Sequence, residues 1–345
     1  MSRATWLIAR AIWLSFAVVF VVFLGLELVF RVLDEVKGPH AQYGFLDALF
    51  VSISGMPRRL YLDLPLIVLI AVASGLGGLA QSSELTVLRA AGLSVGQIFG
   101  KIVLALSPIL LASLVIGEYG MPQSEQFSQA LKESKTQGAS PTVVWTREDG
   151  HYVQLTGAAD GQVVNWKQVT LHPDRDEVAR LVASDQVSWL ASAVRLTDAV
   201  TLTFAPTVID AVTATVEQST QLSAREVRWL VQTPEALALS DLWDASQYLS
   251  DEGLNARAHT QLFWQRMLLP VTLVILALLA SATAFGSLRS LGMSTRVFLA
   301  VLLGLVFKYA MDMAAPAVFL AGWHPAFAII LPLLIPLLLT PRLLR

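Results

Sequence analysis

The chain has 345 residues, of which 55% are hydrophobic and only 14% charged, with a formal net charge of −2 and no cysteine. Soluble domains carry about 25% charged residues, so this composition indicates an integral membrane protein. The charge balance gives no case for a nucleic-acid partner. The missing cysteines exclude disulfides, thiolate metal sites and cysteine nucleophiles.

Apolar runs long enough for a ~30 Å hydrocarbon core predict six spans, at residues 11–33, 60–80, 96–117, 267–288, 296–317 and 325–339. The first run is too long for a cleaved leader and lacks a small-residue cleavage site, so it reads as an anchor. An apolar helix at 45–54 precedes the second span, interrupted by Gly55 and Pro57. An even number of spans puts both termini on one side. Arg3, Arg10, Arg89, Lys101, Arg289, Arg296, Arg342 and Arg345 gather on that side, which the positive-inside rule makes cytoplasmic. Arg58 and Arg59 break the rule on the outer side, an exception that invites a functional reading.

Between spans 2 and 3 lies Ser82-Ser83-Glu84-Leu85-Thr86-Val87-Leu88-Arg89-Ala90-Ala91-Gly92. Ser82 or Ser83 can cap a helix here, and Gly92 can end it. Leu85 and Leu88 fall on one face, with Ala91 or Gly92 about two turns on. A short amphipathic helix on the cytoplasmic surface is where a soluble partner can push on a membrane protein; the plainer alternative is an interfacial loop.

Residues 121–266 are polar and lie outside by this topology. Short runs rich in Val, Thr, Trp and Leu occur at 142–147, 151–156, 162–171, 177–182, 186–190, 194–204, 207–216 and 226–231. Turn signals such as Asp149-Gly150, Asp160-Gly161 and Pro173-Asp174 separate them. The pattern reads as a sandwich, jelly roll or open barrel. Residues 234–252 return to helical or irregular structure.

Two motif hits fail on context. Gly92-Leu93-Ser94-Val95-Gly96 satisfies G-x-S-x-G, but a helix precedes it and all five histidines lie on the outer side or its rim. Gly75-Leu76-Gly77-Gly78-Leu79-Ala80 lies inside a span, where small residues let helices approach closely. No H-x-x-x-H or H-E-x-x-H spacing exists, so neither a catalytic nor a metal site is expected. Charges in the membrane are costly. Glu27 with Arg31, and Lys308 with Asp312, stand four apart on their helices, so each pair can neutralise itself; the alternative is that Arg31 presents its cation to an anionic headgroup near the outer surface.

Four stretches together resemble the LptF/LptG permease family, and its LptG branch more closely. They are the 80–92 segment, Ile116-Gly117-Glu118-Tyr119-Gly120-Met121-Pro122-Gln123 after span 3, Phe285-Gly286-Ser287-Leu288-Arg289-Ser290 between spans 4 and 5, and Arg31-Val32-Leu33-Asp34-Glu35-Val36-Lys37 at the end of span 1. The match runs in order along nearly the whole chain. It implies an α-helical membrane protein of six transmembrane helices with an inserted, jelly-roll-like periplasmic β domain. The divisions are 1–120 with a coupling helix near 82–92, 121–255, and 256–345.

The resemblance implies a non-catalytic permease subunit of an ATP-driven lipopolysaccharide exporter in the Gram-negative inner membrane. An LptF-like subunit, an LptB-like ATPase dimer, an LptC-like membrane protein and a periplasmic bridge would be its partners. The chain has no Walker A motif, so ATP and Mg belong to the partner ATPase and no cofactor is expected here. By resemblance, Arg31, Arg58, Lys37, Lys132 and Lys135 meet lipid phosphates, Arg31 standing where the family has Lys. Glu84, Leu85, Leu88 and Arg89 couple to the ATPase, the leucines filling a groove on it. The sheet would continue an apolar path for acyl chains, with 194–204 contributing inward-facing residues. The alternative from another class is a membrane-anchored mechanotransmission or interaction protein that moves no lipid.

Overall fold

The structure is a computed structural model that describes residues 3–37, 44–135, 142–148, 151–157, 162–172, 177–190, 193–204, 209–220, 222–251, 253–285 and 292–344. The turn signals at 149–150, 160–161 and 173–174, Arg289, Arg345 and most of the 285–290 motif lie outside the described residues, as do the side chains of Lys135, Arg296 and Arg342.

The membrane part begins with α1 (Arg3–Lys37), α2 (Phe45–Ser54) and α3 (Met56–Gln81), followed by the seven-residue α4 (Glu84–Ala90) and α5 (Val95–Val115). A π turn (Ile116–Gly120) carries α5 without a stop into α6 (Met121–Lys135). After the outer region come α9 (Arg257–Met267), α10 (Leu269–Phe285), α11 (Met293–Leu320) and α12 (Phe327–Leu344). Among the described residues, four helices are long and apolar enough to cross a membrane, and α9 with α10 makes a fifth candidate bent by 51°.

Water does not drive these helices together inside lipid, so close packing must. Ile8 and Ile12 of α1, Leu76 of α3, Ile98, Ile102 and Leu106 of α5, and Leu273 and Leu276 of α10 are fully buried in one core. Gly75 permits the tightest crossing: a Cβ there would stand 3.0 Å from the Ala11 carbonyl oxygen. The buried side chains of α1, Thr5, Ile8 and Ile12, all lie in its N-terminal part. Beyond it, Val18, Val21 and Val22 are exposed on this chain.

Among the described residues, the region between α6 and α9 holds seven strands: β1 (Thr142–Glu148), β2 (His151–Gly157), β3 (Val163–Leu171), β4 (Val178–Ser184), β5 (Gln186–Trp189), β6 (Ala193–Phe204) and β7 (Ile209–Ser219). All pairings are antiparallel. β4 and β5 share one edge of β6, against Val200–Thr203 and Val194–Thr197 respectively, and β7 takes the other edge. Chain neighbours pair from β1 to β4, but β4 then pairs with β6 and not with β5. The described strands join in one sheet, a separate β region inserted between the helical parts. Irregularities at Thr156/Gly157, Thr170/Leu171 and Leu196/Ala199 bend the strands.

The expected strand at 226–231 is instead a helix, α7 (Ala224–Val231). Ser223 and Glu226 form a reciprocal capping box that commits the segment to helix. Val227 and Val231 of α7 cover the buried faces of Val153, Leu155, Trp166, Val194 and Leu196. A 3-10 turn (Pro234–Ala236) then leads to α8 (Leu239–Asp251). Arg225 bonds Asp241 at 3.0 Å and Asp244 at 2.8 Å, joining α7 to α8, and these bonds, Asp241 first, hold its guanidinium above its ordinary value.

Candidate functional site

The site at α4 is built by two consecutive stop signals. Ser83 takes a left-handed conformation at φ 61° before α4 and makes no side-chain cap bond, and Ser82 Oγ bonds back to the Leu79 carbonyl. The serine cap expected here is therefore absent. The end of α4 is strongly fixed. Gly92, at φ 93°, donates to the Arg89 carbonyl at 3.0 Å and Leu93 donates to the Leu88 carbonyl at 3.3 Å. This is a Schellman motif, whose left-handed residue favours glycine. Ser94 then opens α5 with a capping box, its Oγ accepting from Gln97 N–H at 3.2 Å while Gln97 Oε1 accepts from Ser94 N–H at 3.0 Å. The serine of the G-x-S-x-G match is thus a helix cap.

Leu85 is 3% exposed and packs into the membrane core, and half-buried Leu88 packs against the same cluster. Leu85 thus holds α4 to its own chain, and Leu88 does so with part of its surface still open. The adjoining stripe is open. Glu84 is half-buried, Val87 is 64% exposed, and Arg89 and Ala91 are exposed. Val87 was missed by sequence reasoning, although its spacing of three from Glu84 and four from Ala91 is a helical stripe that could have found it.

At the outer end, α1, α3 and α6 converge on the break at Gly55. Arg31 donates from Nη1 to the Gly55 carbonyl at 3.1 Å and from Nη2 to Ser128 Oγ at 3.4 Å. A Cβ on Gly55 would stand 1.9 Å from Arg31 Nη2, so glycine is what admits the guanidinium. Arg31 is in no ion pair among the described residues, and the Glu27–Arg31 bridge that the spacing allows is not formed. The break in the helix offers Arg31 a backbone carbonyl instead. Arg58 lies 3.7 Å from both Glu125 and Glu235, and Lys132 lies 3.1 Å from Glu35. Lys37 ends α1 and is exposed, and Lys135 is the last residue of α6. The structure brings Arg31, Arg58 and Lys132 to the same end of the helical domain, two of them already bound to carboxylates.

Lys308 does not pair along its own helix with Asp312. It reaches across to Asp63 of α3, Nζ to Oδ1 at 2.9 Å, and Asp63 is 4% exposed. Glu27, Arg59, Tyr61 and Asp312 share with this pair the wall of a cavity of about 290 Å³. Crossing between helices satisfies a buried carboxylate that a same-helix partner would leave alone. Among the described residues no cluster of His, Cys, Asp or Glu has the makings of a metal site.

A family model described as "Lipopolysaccharide export system permease LptF/LptG" matches residues 6–345. The chain is similar to the lipopolysaccharide export system permease protein LptG of Escherichia coli, at 23% identity over 337 residues, covering 94% of this chain and 93% of that protein. It is similar also to the protein of the same name from Haemophilus influenzae, at 22% identity over 320 residues, covering 90% of this chain and 89% of that one.

Proposed function

The chain belongs to the LptF/LptG family of lipopolysaccharide export permeases, and from that premise we propose that it is one half of the membrane channel of an ATP-driven lipopolysaccharide exporter. It is a membrane subunit without catalysis of its own. An LptF-like subunit completes the channel, and an LptB-like ATPase dimer, which holds the ATP and Mg, drives it. An LptC-like protein and a periplasmic bridge receive the lipid. The chain crosses the inner membrane six times, α12 and the bent α9–α10 pair each forming a span. Both termini are cytoplasmic and the sheet lies in the periplasm.

The observation that carries this reading is the position of Arg31, a guanidinium held at a helix break by a carbonyl and a hydroxyl, with no ion pair among the described residues. A lipid phosphate can take up its charge in bidentate fashion. Arg58, Lys37, Lys132 and Lys135 add positive potential around it. The exposed apolar face of outer α1 offers acyl chains a path beside it. In the sheet, Val194, Leu196 and Ala199 are sealed in its own core, which leaves Val200 and Phe204 as the apolar positions of β6 open to lipid. On the cytoplasmic side, Glu84 and Val87 of α4 dock on the ATPase.

A photoreactive residue at Leu33, which is exposed beside Arg31, tests this reading in the purified complex. Lipopolysaccharide should crosslink there, and ATP should move the signal toward a probe at Phe204. No lipid at either position would leave the mechanotransmission alternative in its place.

A further inference from the structure

The segment 232–240, between α7 beneath the sheet and α8, is gripped from several elements. Arg266 is 2% exposed and donates to three backbone carbonyls: Leu237 at 2.6 Å, Glu235 at 2.8 Å and Gly117 at 3.5 Å. Glu118 accepts from the Ser240 backbone N–H at 3.1 Å and from its hydroxyl at 2.7 Å, so a carboxylate sits at the first turn of α8. Gln126 donates to the Ala236 carbonyl at 3.0 Å, and Gln129 to Thr233 Oγ1 at 3.0 Å.

Two of these partners, Gly117 and Glu118, belong to the π turn at the outer end of α5. A π turn interrupts the regular ladder and is a frequent place for helices to yield. Gly117 is pressed against Tyr61 of α3, where a Cβ would stand 2.7 Å from the phenol oxygen. The other end of α5 begins at Ser94, two residues beyond Gly92, which ends α4. The 21 residues of α5 span ~31 Å at ~1.5 Å per residue. One continuous helix, with Pro108 inside it, therefore runs from the surface helix on one side to this segment on the other.

We infer that residues 232–240 form the mechanical link by which movement of α5 reaches the sheet, with Arg266 and Glu118 as the positioning residues that lock the link to the π turn. This rests on the permease reading, since a stroke delivered at α4 must reach a lipid-receiving sheet. A buried guanidinium held by carbonyls rather than a carboxylate suits the role. It fixes three backbone positions in a rigid fork, and loss of one grip loosens the segments it joins together. A purely local brace predicts something different, loosening of the first turn of α8 alone.

Hydrogen exchange on the purified chain in lipid nanodiscs separates the two, and it needs neither nucleotide nor transported lipid. Glu118→Gln keeps the shape and removes the charge. Exchange should quicken about tenfold or more at the amides of Ser240–Leu242, and by a comparable factor in Ile116–Gly120 and in α7. Arg266→Lys, which keeps the charge but drops the fork, should loosen the same three segments. Quickening confined to Ser240–Leu242 overturns the link, whatever becomes of the export reading. The companion readout is the ratio of lipid crosslinking at Phe204 to that at Leu33 in the complete complex. Glu118→Gln should lower it several-fold with ATP hydrolysis retained, and an unchanged ratio overturns the link. Absence of crosslinking in the unaltered protein would instead strike the export reading, so the two failures are distinct.

Discussion

The two ends of the helical domain handle exposed chemistry in opposite ways. At the α4 end, Leu85 packs into the chain's own core and a narrow polar and apolar stripe, Glu84, Val87 and Ala91, is left facing outward. At the outer end, charged side chains stitch α1, α3 and α6 to one another, and Arg31 alone of Arg31, Arg58 and Lys132 stays outside an ion pair among the described residues. A residue that resembles a family's contact residue can be consumed by folding, and the partner meets what is left over.

Substitutions at each end should separate folding roles from contact roles. The largest effect is expected at Leu85. Leu85→Ala opens a cavity in the packed core and should cost ~2–5 kcal/mol, seen as a lowered thermal midpoint of the chain in detergent. Val87→Asp on the facing stripe should leave that midpoint within ~0.5 kcal/mol while weakening association with the ATPase. If Val87→Asp destabilises and Leu85→Ala does not, the two faces of α4 have been assigned the wrong way round.

The cross-helix pair comes next. Lys308→Met strands Asp63 in the membrane. A fully buried pair costs ~3–5 kcal/mol to break from one side. Lys308 is 49% exposed, so a smaller loss of about 1–3 kcal/mol is expected. The double change Lys308→Met with Asp63→Leu should recover most of it. Equal losses in the single and double variants would mean that the pair contributes nothing through its charge.

Gly55→Ala should push Arg31 off its carbonyl and cost ~1–3 kcal/mol by overpacking, measurable by the same melting assay. Arg58→Gln should be the mildest. Its contacts at 3.7 Å are long and about a third exposed, so less than ~1 kcal/mol of stability is expected to depend on them. A larger loss at Arg58 than at Gly55 would shift the structural burden of the outer end onto the ion pairs.

Patterns of apolar residues carried most of the fold. The helix at 45–54 and the strands from 142 to 216 were visible because length and period are local properties. The segment 226–231 misled because Val, Trp and Leu there satisfy a strand, while the Ser223-x-x-Glu226 cap that makes it a helix lies just ahead of the run. The ion pairs misled for a different reason. Spacing along one helix suggests Glu27 with Arg31 and Lys308 with Asp312, but the partners chosen lie elsewhere, Gly55 at the break between α2 and α3 and Asp63 on α3, and no periodicity reveals them. The same holds for Leu85. Amphipathicity identifies an apolar face without saying whether it meets its own chain or another.

The central claim is that the two ends serve separate partners, lipid outside and ATPase inside. Glu84→Lys and Arg31→Gln test it in one experiment on the reconstituted complex, by reading ATPase co-purification and bound lipopolysaccharide together. Truncating one side of a desolvated charge pair costs ~2–5 kcal/mol, so each loss should be large where it occurs. Glu84→Lys should lose the ATPase and keep lipid bound. Arg31→Gln, which retains a donor for the Gly55 carbonyl, should keep the ATPase and lose lipid. If either variant loses both, or neither loses its own partner, the division of labour between the two ends is wrong.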